Sequence, residues 1–111
     1  MKLSVIIPVY NEVESIQTIL KRVQATKRAN EIILVDAEST DKTIEIAKNY
    51  NPKIFIRKWE GYANQKEFAL SKAANEWVLS IDADERVSHL LKDEIINLNE
   101  NDADGYYIRR Q

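Results

Sequence analysis

The sequence predicts an α/β layered fold, a three-layer sandwich with a mostly parallel sheet. Three observations carry this. Two short runs, around residues 3–9 and 31–35, are almost continuously apolar, as strands covered on both faces must be. Segments with helical apolar spacing separate the strand-like runs. The connections between successive strands are long enough for crossovers, which parallel neighbours require.

Leu3-Ser4-Val5-Ile6-Ile7-Pro8-Val9 is the first strand, with Pro8 near its end because proline cannot donate to a ladder. Asn11 and Glu14 have capping-box spacing, and Ile16, Ile19, Leu20 and Val23 follow on one face, so a helix is expected over about residues 12–24. Glu31-Ile32-Ile33-Leu34-Val35 is the second strand and ends at Asp36. Ser39 or Thr40 caps a second helix reaching about Asn49, with Asp41 suited to the positive end of its dipole. Asn51-Pro52 makes a turn into a third, more exposed strand from Lys53 to Lys58. Gly61 breaks the pattern. Asn64 with Glu67 reads as a second capping box before Phe68, Ala69, Leu70, Ala73 and Ala74. Glu76 to Ile81 is the fourth strand, with Trp77 in the core, and it terminates in Asp82-Ala83-Asp84. Ser88 caps a further helix carrying Leu91, Ile95 and Leu98, and the run from Gly105 to Gln111 is a fifth strand.

Composition narrows the chemistry. The chain has 111 residues, 44% apolar and 31% charged, which suits one packed domain. Sixteen Lys and Arg against 18 Asp and Glu leave a formal net charge of -2, so no nucleic-acid partner is expected. With no cysteine and one histidine, thiol catalysis and Cys- or His-cluster metal sites are excluded within this chain. A metal would need oxygen ligands, as Mg²⁺, Mn²⁺ or Ca²⁺ do. No apolar run approaches the roughly 20 residues that span a bilayer. The N-terminus lacks a secretory cleavage pattern, so a cytoplasmic location is expected.

Ligands of open parallel sheets bind beyond the carboxyl ends of the strands. Tyr10-Asn11-Glu12, Asp36-Ala37-Glu38 and Asp82-Ala83-Asp84 all fall on that rim. In an extended segment Asp82 and Asp84 share a side, where a hard cation relieves their repulsion and leaves positions open for phosphate. The alternative is a solvated acidic turn. Asp36 can accept from a nucleobase or ribose, or simply cap the following loop. Tyr10 stacks on a base or covers the sheet edge. Lys66, in the first turn of a helix, is electrostatically misplaced unless an anion binds there; otherwise it is a solvated lysine. Trp59 follows the third strand and is a weaker candidate for a pocket wall. His89, one residue past a helix cap, reads as surface. No glycine-rich dinucleotide loop, P-loop or Ser-His arrangement is present.

Ser4 to Glu12, Glu31 to Asp41 and Leu79 to Glu85 resemble, in order and spacing, the motifs of family 2 glycosyltransferases of GT-A fold. Gly61-Tyr62-Ala63-Asn64-Gln65-Lys66-Glu67-Phe68-Ala69-Leu70 is similar to the branch that includes lipopolysaccharide core β-glucosyltransferases. The resemblance implies that residues 1–111 form part of such a catalytic domain, the N-terminal half that binds a nucleoside-diphosphate sugar, with a UDP-sugar expected. It implies Pro8, Tyr10 and Glu12 around the nucleotide, Asp36 on the base, Lys66 towards base or phosphates, and Asp82 near ribose or diphosphate. Asp84, with Asp82, would hold Mn²⁺ or Mg²⁺. The acceptor would be a glycan or lipid-linked acceptor of the cell envelope, reached in the cytoplasm or at the inner membrane face. Transfer in this family is usually inverting, with a carboxylate base supplied by a later half. That half lies beyond the residues of this chain, so no catalytic base is assigned, Glu85 included. The other reading is a non-catalytic nucleotide-sugar-binding or assembly module. Apolar surface left uncovered by the missing half would favour a homodimer. The family pattern carries glycine where Glu38 stands.

Overall fold

The computed structural model describes residues 2–81 and the backbone of residues 107–109. Five strands form one sheet in the order β3-β2-β1-β4-β5: β1 (Leu3–Val9), β2 (Ala29–Asp36), β3 (Lys53–Ile56), β4 (Trp77–Ser80) and β5 (Tyr107–Arg109). The helices are α1 (Ile16–Ala25), α2 (Thr43–Ala47), extended by a 3-10 turn over Lys48–Tyr50, and α3 (Tyr62–Lys72). β1 pairs in parallel with β2 and β4, and β2 with β3. β5 runs antiparallel to β4. The expected fourth helix, Asp82, Asp84, Glu85 and His89 lie outside the described residues.

Strand alternation makes the layers. Leu3, Val5, Ile7 and Val9 of β1, with Ile32 and Leu34 of β2, pack on Ile16, Ile19, Leu20 and Val23 of α1 and on Ala47 of α2. Ile6, Ile33, Val35 and Val78 pack on the other side against Ala69 and Ala73 in and just after α3. Both faces of β1 and β2 are thus covered, which is why their sequences read as continuous apolar runs rather than alternating ones. Phe55 extends the second face. Its ring meets Phe68 edge-on at 5.8 Å, with the Lys72 ammonium 5.5 and 5.2 Å from the two ring centroids. Among the described residues no helix is long and apolar enough to cross a membrane.

The one polar residue inside β1, Ser4, is fully buried and makes an anchor at the amino end of the sheet. Its hydroxyl donates to Glu31 Oε1 at 2.6 Å and accepts from Asn75 N at 3.2 Å. Glu31 also takes an ion pair from Lys53 Nζ at 2.7 Å and a bond from Ala74 N. Burial alone would push the Glu31 carboxyl up. The donors Lys53, Ser4 and Ala74 N outweigh it and hold the carboxyl below its ordinary value.

The helix starts differ from the sequence expectation. α1 begins at Ile16, after Ser15, and Asn11 is not its cap. Asn11 instead adopts φ +49°, and its Oδ1 accepts from Thr40 N at 2.8 Å and Asp41 N at 3.3 Å. α2 begins at Thr43 rather than after Ser39 or Thr40. Lys42 is the N-cap position and makes no side-chain cap bond; Asp41, one residue earlier, accepts at Oδ1 from Thr43 N at 2.9 Å and from the Thr43 hydroxyl. α3 begins at Tyr62, with Gly61 as its cap at φ +105°, and Asn64 donates backwards to Glu60 O at 2.7 Å.

Candidate nucleotide cleft at the carboxyl ends of three strands

Register brings the ends of β1, β2 and β3 level, with Val9 opposite Asp36 and Asp36 opposite Ile56. The ladder continues one step past each strand: Ala37 N donates to Val9 O at 2.9 Å, and Arg57 N donates to Asp36 O at 2.8 Å. The residues that follow form an open cleft of about 640 Å³ lined by Tyr10, Ala37, Glu38, Lys58 and Trp59. That size is typical of small-molecule sites. Tyr10 is 54% and Trp59 51% exposed. Two aromatic rings are thus kept half in water on a rim where ligands of such sheets bind, and exposed rings of this kind can stack on a base.

Asp36 connects the walls. It is 1% exposed, and both its carboxylate oxygens are used by one neighbour: Ser39 N donates to Oδ2 at 2.8 Å and the Ser39 hydroxyl to Oδ1. Ser39 Oγ in turn accepts from Asn11 N at 2.8 Å. The Asp36 side chain thus holds the loop carrying Glu38 and, through Ser39, the turn after Tyr10. Its backbone carbonyl holds the segment carrying Lys58 and Trp59. Gln65, buried on α3, adds a bond from Nε2 to Arg57 O at 3.3 Å. Its Oε1 is the buried side-chain acceptor without a partner among the described residues.

Around this frame sit the other residues singled out in the sequence. Pro8 is half-buried in β1 opposite Val35. Glu12 is half-buried, donates from its N to Thr43 Oγ1 at 2.9 Å, and accepts from Ser15 Oγ at 3.1 Å. The Asp41 carboxyl is held below its ordinary value, first by the bond from the Thr43 hydroxyl, against some desolvation, with help from the Thr43 and Val13 backbone. Lys66 does not line the cleft; its ammonium lies 4.9 Å from the Tyr62 ring centroid, a cation–π contact that accounts for a cation in this first turn. Of the expected nucleotide residues, Tyr10 alone lines the cleft in the described part of the chain.

Lys58 was not among the expected site residues; Glu38 stood on the expected rim, as a ligand contact or a charged loop residue, and as a departure from the family pattern. Reading the third strand through Lys58 places that residue in a ladder, whereas β3 ends at Ile56 and frees Lys58 for the rim. The usable signal was the rim position itself, shared with Tyr10 and Asp36. Glu38 has φ +60°, the left-handed region that explains a glycine preference there. Among the described residues neither Glu38 nor Lys58 makes an ion pair or hydrogen bond.

Asp82 and Asp84, the carboxylates expected to hold a metal, lie outside the described residues. Among the described residues no group of three or more His, Asp or Glu could hold one.

The family model described as glycosyl transferase family 2 matches residues 4–111. An uncharacterized glycosyltransferase of Rickettsia bellii is 44% identical over 94 residues, covering 85% of this chain and 31% of the relative. The lipopolysaccharide core biosynthesis glycosyltransferase LpsC of Rhizobium meliloti is 36% identical over 78 residues, 66% of this chain and 29% of the relative. The chain therefore spans about a third of the length of such relatives or less. Among solved structures, glucosyl-3-phosphoglycerate synthase of Mycobacterium tuberculosis, in complex with Mn²⁺, UDP and glucosyl-3-phosphoglycerate, superposes with a TM-score of 0.71 at 22% identity. It covers 81% of this chain and 36% of that one. Mannosyl-3-phosphoglycerate synthase of Rubrobacter xylanophilus superposes at 0.69 with 26% identity, over 78% of this chain and 31% of that one. These similarities carry the α/β GT-A-like fold with its mostly parallel sheet.

Proposed function

The chain belongs to glycosyl transferase family 2, and from that premise we propose that it supplies the donor-binding part of an enzyme that transfers a sugar from a nucleoside-diphosphate sugar, with a UDP-sugar the first donor to test. The observation that carries this is the cleft at the ends of β1, β2 and β3, with half-exposed Tyr10 and Trp59 on its walls. The base lies between or against these rings. Pro8 and Glu12 flank the nucleotide, Asp36 shapes its base end through Ser39, and Lys66, which rests on the Tyr62 ring outside the cleft lining, turns to base or phosphates when the donor binds. Asp82 lies near ribose or diphosphate and, with Asp84, holds Mn²⁺ or Mg²⁺. An ion held there would supply neutralisation of the charge on a departing diphosphate. The metal assignment draws support from carboxylates of the right hardness following a buried strand and from the Mn²⁺ complex of the mycobacterial relative. The acceptor is a glycan or lipid-linked acceptor of the cell envelope, in keeping with the name of LpsC, met on the cytoplasmic side of the membrane.

Calorimetric titration of UDP into the chain, with Mn²⁺ and then with EDTA, tests the reading. Metal-dependent binding, abolished by Asp84→Asn in a protein with unchanged circular dichroism, is the expected result. Binding indifferent to EDTA and to Asp84→Asn removes the metal assignment. No binding by the folded chain removes the donor site.

A further inference from the structure

Resting on the reading of the cleft as the nucleoside end of a donor site, we propose that Glu38 and Lys58 read the edge of the base and select those presenting a ring N–H beside a carbonyl: uracil, thymine and guanine, over cytosine and adenine. Stacking on Tyr10 and Trp59 gives affinity but little identity, because every base has a π-face. Discrimination must come from polar groups on the walls. The Asp36 carboxylate is buried, tied to Ser39 and not part of the cleft lining, so the carboxylate offered to the cleft is that of Glu38. Glu38 and Lys58 line the same cleft without neutralising each other. An ionised carboxylate only accepts and an ammonium only donates.

The two groups therefore fix a polarity on whatever edge lies between them. Uracil and thymine offer N3–H to the carboxylate and O4 to the ammonium; guanine offers N1–H and O6, with a second donor from its amino group. Cytosine and adenine invert both positions, placing a ring-nitrogen lone pair against the carboxylate and an amino group against the ammonium. A shifted pose could give the carboxylate the amino N–H and the ammonium the ring nitrogen. The keto edge is favoured because its ring N–H is the more acidic donor and its carbonyl oxygen the better partner for an ammonium, and charge-assisted bonds gain most from both.

The test is a calorimetric panel of UDP, TDP, GDP, CDP and ADP with the chain at fixed Mn²⁺, so that the diphosphate and metal contributions are common to all. UDP, TDP and GDP are expected to bind about tenfold or more tighter than CDP and ADP. Glu38→Gln, whose amide can accept or donate, is expected to bring CDP within about threefold of UDP. Lys58→Met is expected to weaken UDP more than CDP. Equal affinities across the panel, a preference for CDP and ADP, or a UDP-to-CDP ratio untouched by Glu38→Gln each overturn the inference and leave the donor reading standing. A folded chain that binds none of the five overturns the donor reading and this inference with it.

Discussion

Replacing Glu38 by glycine should stabilise the protein, although it deletes a side chain. At φ +60° the Cβ of an L-residue crowds the following carbonyl oxygen, at a cost of about 1–2 kcal/mol that glycine does not incur. Glycine also frees the unfolded chain, which offsets about 0.4–1 kcal/mol of that relief. Glu38 is exposed and makes no ion pair or hydrogen bond among the described residues, so nothing else in the folded state opposes the change. The net expectation is a gain of about 0.5–1 kcal/mol, or roughly 2–6 °C in melting temperature for a domain of this size. Urea and thermal melts of the two proteins measure it. Lys27→Gly is the control: φ is +57° just past the end of α1, the residue is exposed, and it does not line the cleft. It should gain a similar amount. Glu38→Ala keeps the backbone cost and should move stability by less than about 0.5 kcal/mol. A less stable Glu38→Gly would refute the strain argument. So would a Glu38→Ala variant as stable as Glu38→Gly, since the gain would then come from the lost charge.

Leu20, fully buried where α1 meets the sheet, should cost about 3–4 kcal/mol when cut to alanine, while Gln17→Ala on the exposed side of the same helix should cost less than about 0.5; urea midpoints compare the two. The Glu31 and Asp41 carboxyls lie below their ordinary values in the folded chain, so the unfolded chain takes up their protons first as pH falls. Their stabilisation is complete above the ordinary carboxylate range and is lost on the acid side, through the depressed values. Glu31→Gln should therefore flatten the acid limb of a stability–pH curve; an unchanged limb would mean the Lys53–Ser4–Ala74 set does not hold that carboxyl down.

The layers were legible in the sequence because burial on two faces leaves a mark that needs no tertiary knowledge: β1 is apolar but for Ser4, Ile32 to Val35 of β2 form an unbroken apolar run, and Ile16, Ile19, Leu20 and Val23 repeat at helical spacing. The caps were not. A capping box is a local pattern, and Asn11 satisfies it on paper, yet its side-chain oxygen is recruited by Thr40 and Asp41, some 29 and 30 positions away. The expectation that every strand has a crossover-length connection to a parallel neighbour gave no warning that β5 would run antiparallel, because strand direction leaves no trace in the apolar pattern of a three-residue pairing. At the cleft, Tyr10 was legible as a polar aromatic at a strand end. Lys58 was hidden by an alternation that runs two residues past the end of the ladder. Asp36 was legible as important, but a sequence cannot say whether a carboxylate faces a ligand or its own loop.

That ambiguity about Asp36 is open to a direct measurement. If its work is to hold the walls, stability and nucleotide affinity must fall together when it is changed. Asp36→Ala leaves the Ser39 N–H and hydroxyl without their acceptor, at about 1–3 kcal/mol for each group left unsatisfied. Ser39 is only half-buried, so water meets part of the need and the expected loss is near the lower end, about 2–3 kcal/mol in total. Asp36→Asn keeps one acceptor oxygen and should lose roughly half of that. Affinity for UDP should drop in the same order, because the Glu38 loop and the turn after Tyr10 are both tied through Ser39. If, instead, Asp36→Asn abolishes UDP binding with an unchanged urea midpoint, the carboxylate acts on the ligand itself, and the bonds to Ser39 must open when the nucleotide enters. The same comparison at Glu38 should separate the two quantities, with base preference changing while stability holds or rises. The cleft thus has one carboxylate that shapes it and a second, two residues later, that is free to read what enters.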